Sequence, residues 1–221
     1  MIHFEPRPLC FEPSSLRFGQ PAEQDEDDLD TAGLPLPTQI RLRARRMAAI
    51  AEAKGILEHL PEPGCSTHAI TSCRLDLTDV LTALLERLGP CDRMLIATLG
   101  YHRRNLKTLL SWLDTGAVRS LSLVASKFFR SHNGALWSET LEQLHQRGQR
   151  AACTDSHAKV VAMFFASGEK LSIEGSQNLC GNGSAREQFA LIRHDELTEW
   201  HSRWIDDLLE RFEGKDDGED G

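Results

Sequence analysis

No stretch of the chain comes near the roughly 18 consecutive apolar residues of a membrane-spanning helix, and the mean hydropathy is -0.36. The opening residues Met1-Ile2-His3-Phe4-Glu5 lack a basic segment followed by an apolar run. A secretory leader is therefore not expected. CxxC pairs are missing as well, and the six cysteines (Cys10, Cys65, Cys73, Cys91, Cys153, Cys180) stand at irregular spacings. In a chain with no leader, that pattern favours reduced thiols in the cytoplasm over a disulfide framework. Close-spaced ligand knuckles are also lacking, which leaves His145, Cys153 and His157 a poor zinc set. Neither a metal nor a cofactor is expected. No internal repeat is visible, so any site residues occur in a single copy.

The 221 residues suffice for one sizeable α/β domain or two small ones. The formal charge of -8 is unevenly spread. Residues 1–35 hold eight acids and two bases, residues 213–221 five acids and one lysine, and the body 36–212 is left at +2. Acid at this density resists collapse, so both ends are expected to be disordered. The boundaries read as an acidic, proline-rich arm over 1–37, a basic helix over 38–62, the main domain over 63–212 and an acidic tail over 213–221. On the helix, Arg41, Arg43, Arg45 and Arg46 form a cluster. It fits a solvated face or contacts to nucleic-acid phosphates.

Periodicity predicts helices over 38–60, 77–88, 103–113, 135–147 and 196–212. Apolar runs predict strands over 93–98, 118–125, 149–154, 158–165, 170–173 and 188–193. The β-α-β-α-β rhythm implies a mixed, largely parallel central sheet flanked by helices. Trp200 and Trp204 stand at helical spacing and fit core or dimer contacts. His59, His68, His145, His194 and His201 show no partner pattern.

The stretch with most chemical content is Ser156-His157-Ala158-Lys159-Val160-Val161-Ala162-Met163. On a strand His157 and Lys159 share a face, with Ala158 and Val160 on the other. An imidazole beside an ammonium is costly in a core and suits an anion site. Downstream, Gly175 permits tight backbone geometry, while Ser176 and Asn178 offer a hydroxyl and an amide donor. Glu187 supplies a carboxylate able to hold the second nitrogen of a histidine. Ser126-Lys127-Phe128-Phe129-Arg130-Ser131-His132 follows a strand. Lys127 and Arg130 fit phosphate contacts there, and Phe128 or Phe129 a stacking face for a base; a surface loop with its phenylalanines in the core fits equally. Tyr101-His102-Arg103-Arg104 opens a helix, a position that favours anions.

His157-x-Lys159, Gly175-Ser176-x-Asn178 and Glu187 together resemble the phospholipase D superfamily. The likeness extends over residues 90–212 and is greatest to the single-motif branch, found in bacterial nucleases and mobile-element proteins. It implies metal-free phosphodiester cleavage through a phosphohistidine, with two His-Lys-Asn sets facing one another. One set per chain then implies a homodimer. By this resemblance His157 is the nucleophile, Lys159 and Asn178 stabilise phosphate charge, Ser176 adds a hydrogen bond, and Glu187 orients His157. The aspartate usual five residues after the lysine is replaced by Phe164; the tyrosyl-DNA phosphodiesterases also lack it and remain active. Nucleic acid is the expected substrate and no membrane the expected partner. A catalytically inactive binding module is the alternative, and a phosphodiesterase of lipids or small molecules a third.

Overall fold

The computed structural model describes residues 36–71, 75–181 and 186–214. Residues 1–35 of the arm expected over 1–37, residues 215–221 of the tail expected over 213–221, Cys10 and Cys73 lie outside the described residues. Seven strands form one sheet: β1 (Cys65–Thr71), β2 (Cys91–Thr98), β3 (Leu121–Ser126), β4 (Arg150–Thr154), β5 (Val160–Phe165), β6 (Lys170–Gly175) and β7 (Glu187–Arg193). The helices are α1 (Leu36–Ile56), α2 (Leu77–Leu88), α3 (Arg103–Asp114), α4 (Lys127–His132), α5 (Gly134–Gln146) and α6 (Asp195–Phe212).

The strand order is β1-β7-β6-β5-β2-β3-β4. Only β2–β3 and β3–β4 are parallel. The pairings β1–β7, β2–β5, β5–β6 and β6–β7 are antiparallel. The mixed α/β class is as the sequence implied, but the sheet is mostly antiparallel rather than largely parallel. Connection length is the reason. A parallel return needs a dozen or more residues, which α3 supplies between β2 and β3. Only residues 166–169 join β5 to β6, and they close a tight turn through Phe165 N–H to Glu169 O at 2.8 Å.

Alternation divides the strands between two apolar layers. Met94, Ile96, Leu121, Leu123, Val161 and Met163 face the larger layer, beneath α1, α2, α3 and α5. Leu95, Ala97, Val124, Ala152, Val160 and Ala162 face α6, which adds Ile205 and Leu209. Full burial of each such Leu, Ile or Val side chain contributes about 1.5–3 kcal/mol. The basic helix α1 is tied into the larger layer by Ala49 and Ala53, with Leu57 just beyond its end. Phe164 packs beside the α6 layer, so the residue in place of the usual aspartate belongs to the sheet–helix contact.

Trp204 packs in that contact too, while Trp200 is 53% exposed. His201, without a partner pattern in the sequence, is 3% exposed and bonded at both nitrogens. Its Nδ1 accepts the Trp204 indole N–H at 3.0 Å, and Nε2 lies 2.6 Å from Glu174. Indole can only donate, so the neutral ring carries its proton on Nε2 and donates it to Glu174.

Candidate active site

The candidate residues gather where β2, β3 and β4 end at their C-terminal edge. Thr98 closes β2, Ser126 closes β3 and Thr154 closes β4. The antiparallel β5 begins at this edge and β6 finishes there, because Ala97 pairs with Val160 and Val160 with Glu174. The chain therefore brings 155–159, 98–101, 126–130 and 175–179 to one end of the sheet.

Asn178 is held through its oxygen. Oδ1 accepts the Leu99 N–H at 3.2 Å and lies 3.5 Å from the Thr98 hydroxyl. This leaves the carboxamide NH2 as the group available for an external acceptor. Leu99 O in turn accepts the Ser126 hydroxyl at 2.6 Å, and Ser126 Oγ accepts the Phe129 N–H at 2.9 Å. A chain of hydrogen bonds thus ties Asn178 to the start of α4.

The loop around Asn178 is fixed from below by residues that the sequence reading did not single out for the site. Gln177 donates to Leu75 O at 2.6 Å. Asn105 is fully buried, and its NH2 shares two hydrogens among Asp76 Oδ2 at 2.7 Å, Thr78 Oγ1 at 3.0 Å and Leu179 O at 3.2 Å. Asp76 accepts the Gly181 N–H at 2.8 Å and pairs with Arg104. Buried polar groups of this kind hold one geometry because every alternative leaves donors or acceptors unmatched. Asp76 is visible in the sequence only as a helix-start residue; its reach to Gly181 is not.

Gly175 is required by close approach. A Cβ there would overlap the Gln188 carbonyl oxygen and lie 2.7 Å from Phe189 Cα on β7. Ser176, next to it, binds across to β7. Its hydroxyl donates to Glu187 Oε2 and accepts the Gln188 N–H at 3.1 Å. The structure therefore joins Glu187 to Ser176, whereas no hydrogen bond joins Glu187 to the His157 ring.

His157 and Lys159 lie just ahead of β5 rather than on it. The Ser156 hydroxyl accepts the Ala158 N–H at 3.2 Å, a turn that delays the ladder until Val160. His157 is exposed, and its ring makes no hydrogen bond among the described residues. Lys159 is half-buried, its Nζ donating to His157 O at 3.0 Å. Ala158 and Val160 do share the α6 layer, as strand alternation required.

The segment 127–132 is a helix rather than a loop. It separates the two phenylalanines: Phe129 is 4% exposed and lies 4.4 Å from the Tyr101 ring, while Phe128 is 60% exposed. Lys127 Nζ lies 3.4 Å from Asp155, which places α4 beside the loop carrying His157. The basic segment at 101–104 is engaged elsewhere. Tyr101 is buried and donates to Thr140, Arg103 pairs with Glu139 at 2.9 Å, and Arg104 pairs with Asp76. Burial raises the Cys153 thiol above its ordinary range, against the pull of Arg130 and Lys127. Cys153 is thus a poor thiolate nucleophile despite its position at the end of β4. Among the described residues, no three His, Cys, Asp or Glu side chains come together as a metal-ligand set.

Comparison with solved structures identifies the fold. Nuc from Salmonella typhimurium, a phospholipase D family member, superposes with a TM-score of 0.50 at 10% identity, over 69% of this chain and 99% of that one. The chain shares the fold of this phospholipase D family member. NucT from Helicobacter pylori matches with a TM-score of 0.48 at 14% identity, over 68% of this chain and all of that one. Phosphatidylserine synthase from Haemophilus influenzae Rd KW20 matches with a TM-score of 0.48 at 11% identity, over 82% of this chain and 48% of that one. No protein-family model and no curated sequence matches the chain. The likeness to Nuc, at 10% identity, establishes the fold and leaves the reaction to the site. No helix among the described residues is long and apolar enough to cross a membrane.

Proposed function

We propose that the protein is a phosphodiesterase of the phospholipase D type. It cleaves nucleic acid without a metal, and its site is completed when two copies pair. The observation that carries this reading is the placement of Lys159 and an oxygen-locked Asn178 at one sheet edge, together with an exposed His157 whose ring makes no hydrogen bond among the described residues. An ammonium and a carboxamide NH2 are donors suited to two non-bridging phosphate oxygens.

In this reading the neutral imidazole of His157 attacks phosphorus through a ring-nitrogen lone pair. The bond to the leaving oxygen breaks, and that oxygen takes a proton from His157 of the partner subunit. The product of this half is a phosphohistidine and a free hydroxyl. Water then gives a proton to the partner's imidazole and attacks phosphorus. The P–N bond breaks and both rings return to their starting states. Lys159 and Asn178 meet the charge that builds on the equatorial oxygens. Ser176 and Glu187 form a neighbouring polar pair that supports the β6–β7 end. The exposure of His157 suits a group that meets its acid partner only across a twofold interface.

The test is turnover of labelled DNA, RNA and a generic phosphodiester in the presence of a chelator. Wild type is expected to cleave a nucleic acid, and His157→Ala to be slower by at least about a hundredfold. Undiminished cleavage by that variant would exclude the nucleophile. Phe164, in place of the usual aspartate, favours a second reading as a binding module without hydrolysis. It predicts that wild type binds nucleic acid and cleaves none.

A further inference from the structure

We infer that Phe128 is a stacking platform for an unpaired nucleobase, which makes single-stranded nucleic acid the substrate class of this site. The inference rests on the phosphodiesterase reading above and adds to it the part of the substrate that is not phosphate.

The two phenylalanines of α4 face opposite environments for a geometric reason. Successive residues on a helix turn by about 100°, so when Phe129 enters the core against Tyr101, Phe128 must leave it. At 60% exposure Phe128 offers an aromatic face to solvent, one of the few large apolar groups so exposed. A lone exposed apolar residue needs no special explanation. Here, however, the ring is held in place. The His132 ring lies 4.3 Å from it at 37°. His132 Nδ1 is 2.8 Å from Phe128 O, one helical turn back, and 3.0 Å from Ser131 Oγ. A carbonyl can only accept, so Nδ1 carries a proton and the imidazole plane is fixed beside the phenyl ring. The side chains are ordered before any ligand arrives, which lowers the entropic cost of stacking.

The platform is also connected to the chemistry. Ser126 caps α4 and binds Leu99 O, and the Leu99 N–H holds Asn178. On the other side, Lys127 pairs with Asp155, two residues before His157. Arg130, the second cation of α4, stands three residues on from Lys127. An exposed aromatic face on a helix that carries two cations and is tied to the Asn178 loop suits single strands bound by stacking and backbone tracking. Bases of a duplex are already stacked on their neighbours and present no free face.

The experiment compares a fluorescein-labelled oligothymidylate with an abasic strand of the same length. Binding is read by anisotropy in full-length His157→Ala protein, so cleavage does not enter. Turnover by wild type tests the catalytic reading, and the base-bearing to abasic affinity ratio tests the platform; each can fail without the other. Adding Phe128→Ala is expected to weaken oligothymidylate binding about tenfold and to bring the ratio close to that of a pure backbone binder. Phe128→Trp is expected to preserve the ratio. Equal losses on both strands, an unchanged ratio in Phe128→Ala, or a Trp variant as poor as the Ala variant would each overturn the inference.

Discussion

The two loops that meet at the candidate site are built in opposite ways. The loop after β6 is pinned at Gln177, Asn178, Leu179 and Gly181 by Leu75, Leu99, Asn105 and Asp76. The loop before β5 has one short turn at Ser156, a lysine bond to its own backbone, an ion pair of Asp155 with Lys127, a Gly175 N–H bond to Lys159 O at 3.3 Å, and an exposed imidazole. The carboxamide side is thus the more tightly preorganised, and the His157 ring has no hydrogen bond among the described residues. Preorganised donors lower a barrier because they need no reorientation when charge develops. In the proposed function the imidazole differs, since its second contact would come only when two copies pair.

If the pinned loop serves charge stabilisation, changing the donor should matter more than changing the fold. Asn178→Asp keeps an oxygen for the Leu99 N–H but replaces the NH2 donor with an acceptor. Turnover is expected to fall roughly 10²–10³-fold with the melting temperature near wild type, by steady-state kinetics and calorimetry. Retained turnover would show that Asn178 is structural only.

The same contrast predicts where stability resides. Asp76→Ala leaves Arg104, Asn105 and the Gly181 N–H without their shared acceptor. A loss of roughly 3 kcal/mol is expected, measured by denaturant unfolding. A loss under about 0.5 kcal/mol would mean the network is dispensable. His157→Ala, in the open loop, should unfold like wild type in the same assay. Gly175→Ala forces β6 and β7 apart at Gln188 and is expected to cost about 1–3 kcal/mol. Normal stability there would show that the strands separate freely.

The smallest effect concerns pH. Burial, and next the neighbouring Asp76 charge, raise the Asp79 carboxyl above its usual range. The folded chain then binds this proton more readily than the unfolded chain. The charged form costs stability near neutrality, and that cost is relieved as pH falls through the raised value. Asp79→Asn keeps an oxygen for the Asp76 N–H, which now binds Asp79 Oδ2 at 3.2 Å. The variant should melt at or slightly above wild type at pH 7 and lose that advantage on acidification. A lower melting temperature at pH 7 would reverse the sign of the account.

Much of the fold was legible from periodicity. The helix predicted over 77–88 is α2, and α3, α5 and α6 begin or end within a residue or so of expectation. Two elements were missed for physical reasons. The strand β1 is a mostly polar edge strand in which Ile70 is exposed and Thr71 buried, so hydropathy does not follow its burial alternation. The helix α4 has six residues, too few to display a period. Sheet direction was misjudged because pairings such as β2–β5 join segments far apart in sequence, which local pattern does not encode. At the site, His157, Lys159, Ser176 and Asn178 stood out because they lie close together in sequence. Asn105 and Asp76 did not, since their contacts to Leu179 and Gly181 span 74 and 105 residues. Glu187 was expected on the His157 ring and is found on Ser176, a choice that only the β6–β7 register reveals.

The most direct measurement is a rapid denaturing quench of the protein during turnover of a strand radiolabelled at its phosphates. Proteolysis and mass analysis then locate any label bound to protein. The account predicts an acid-labile, alkali-stable phosphoryl group on the peptide that carries His157, absent from His157→Ala. Label on a different side chain, or brisk cleavage with none trapped at any time point, would contradict it.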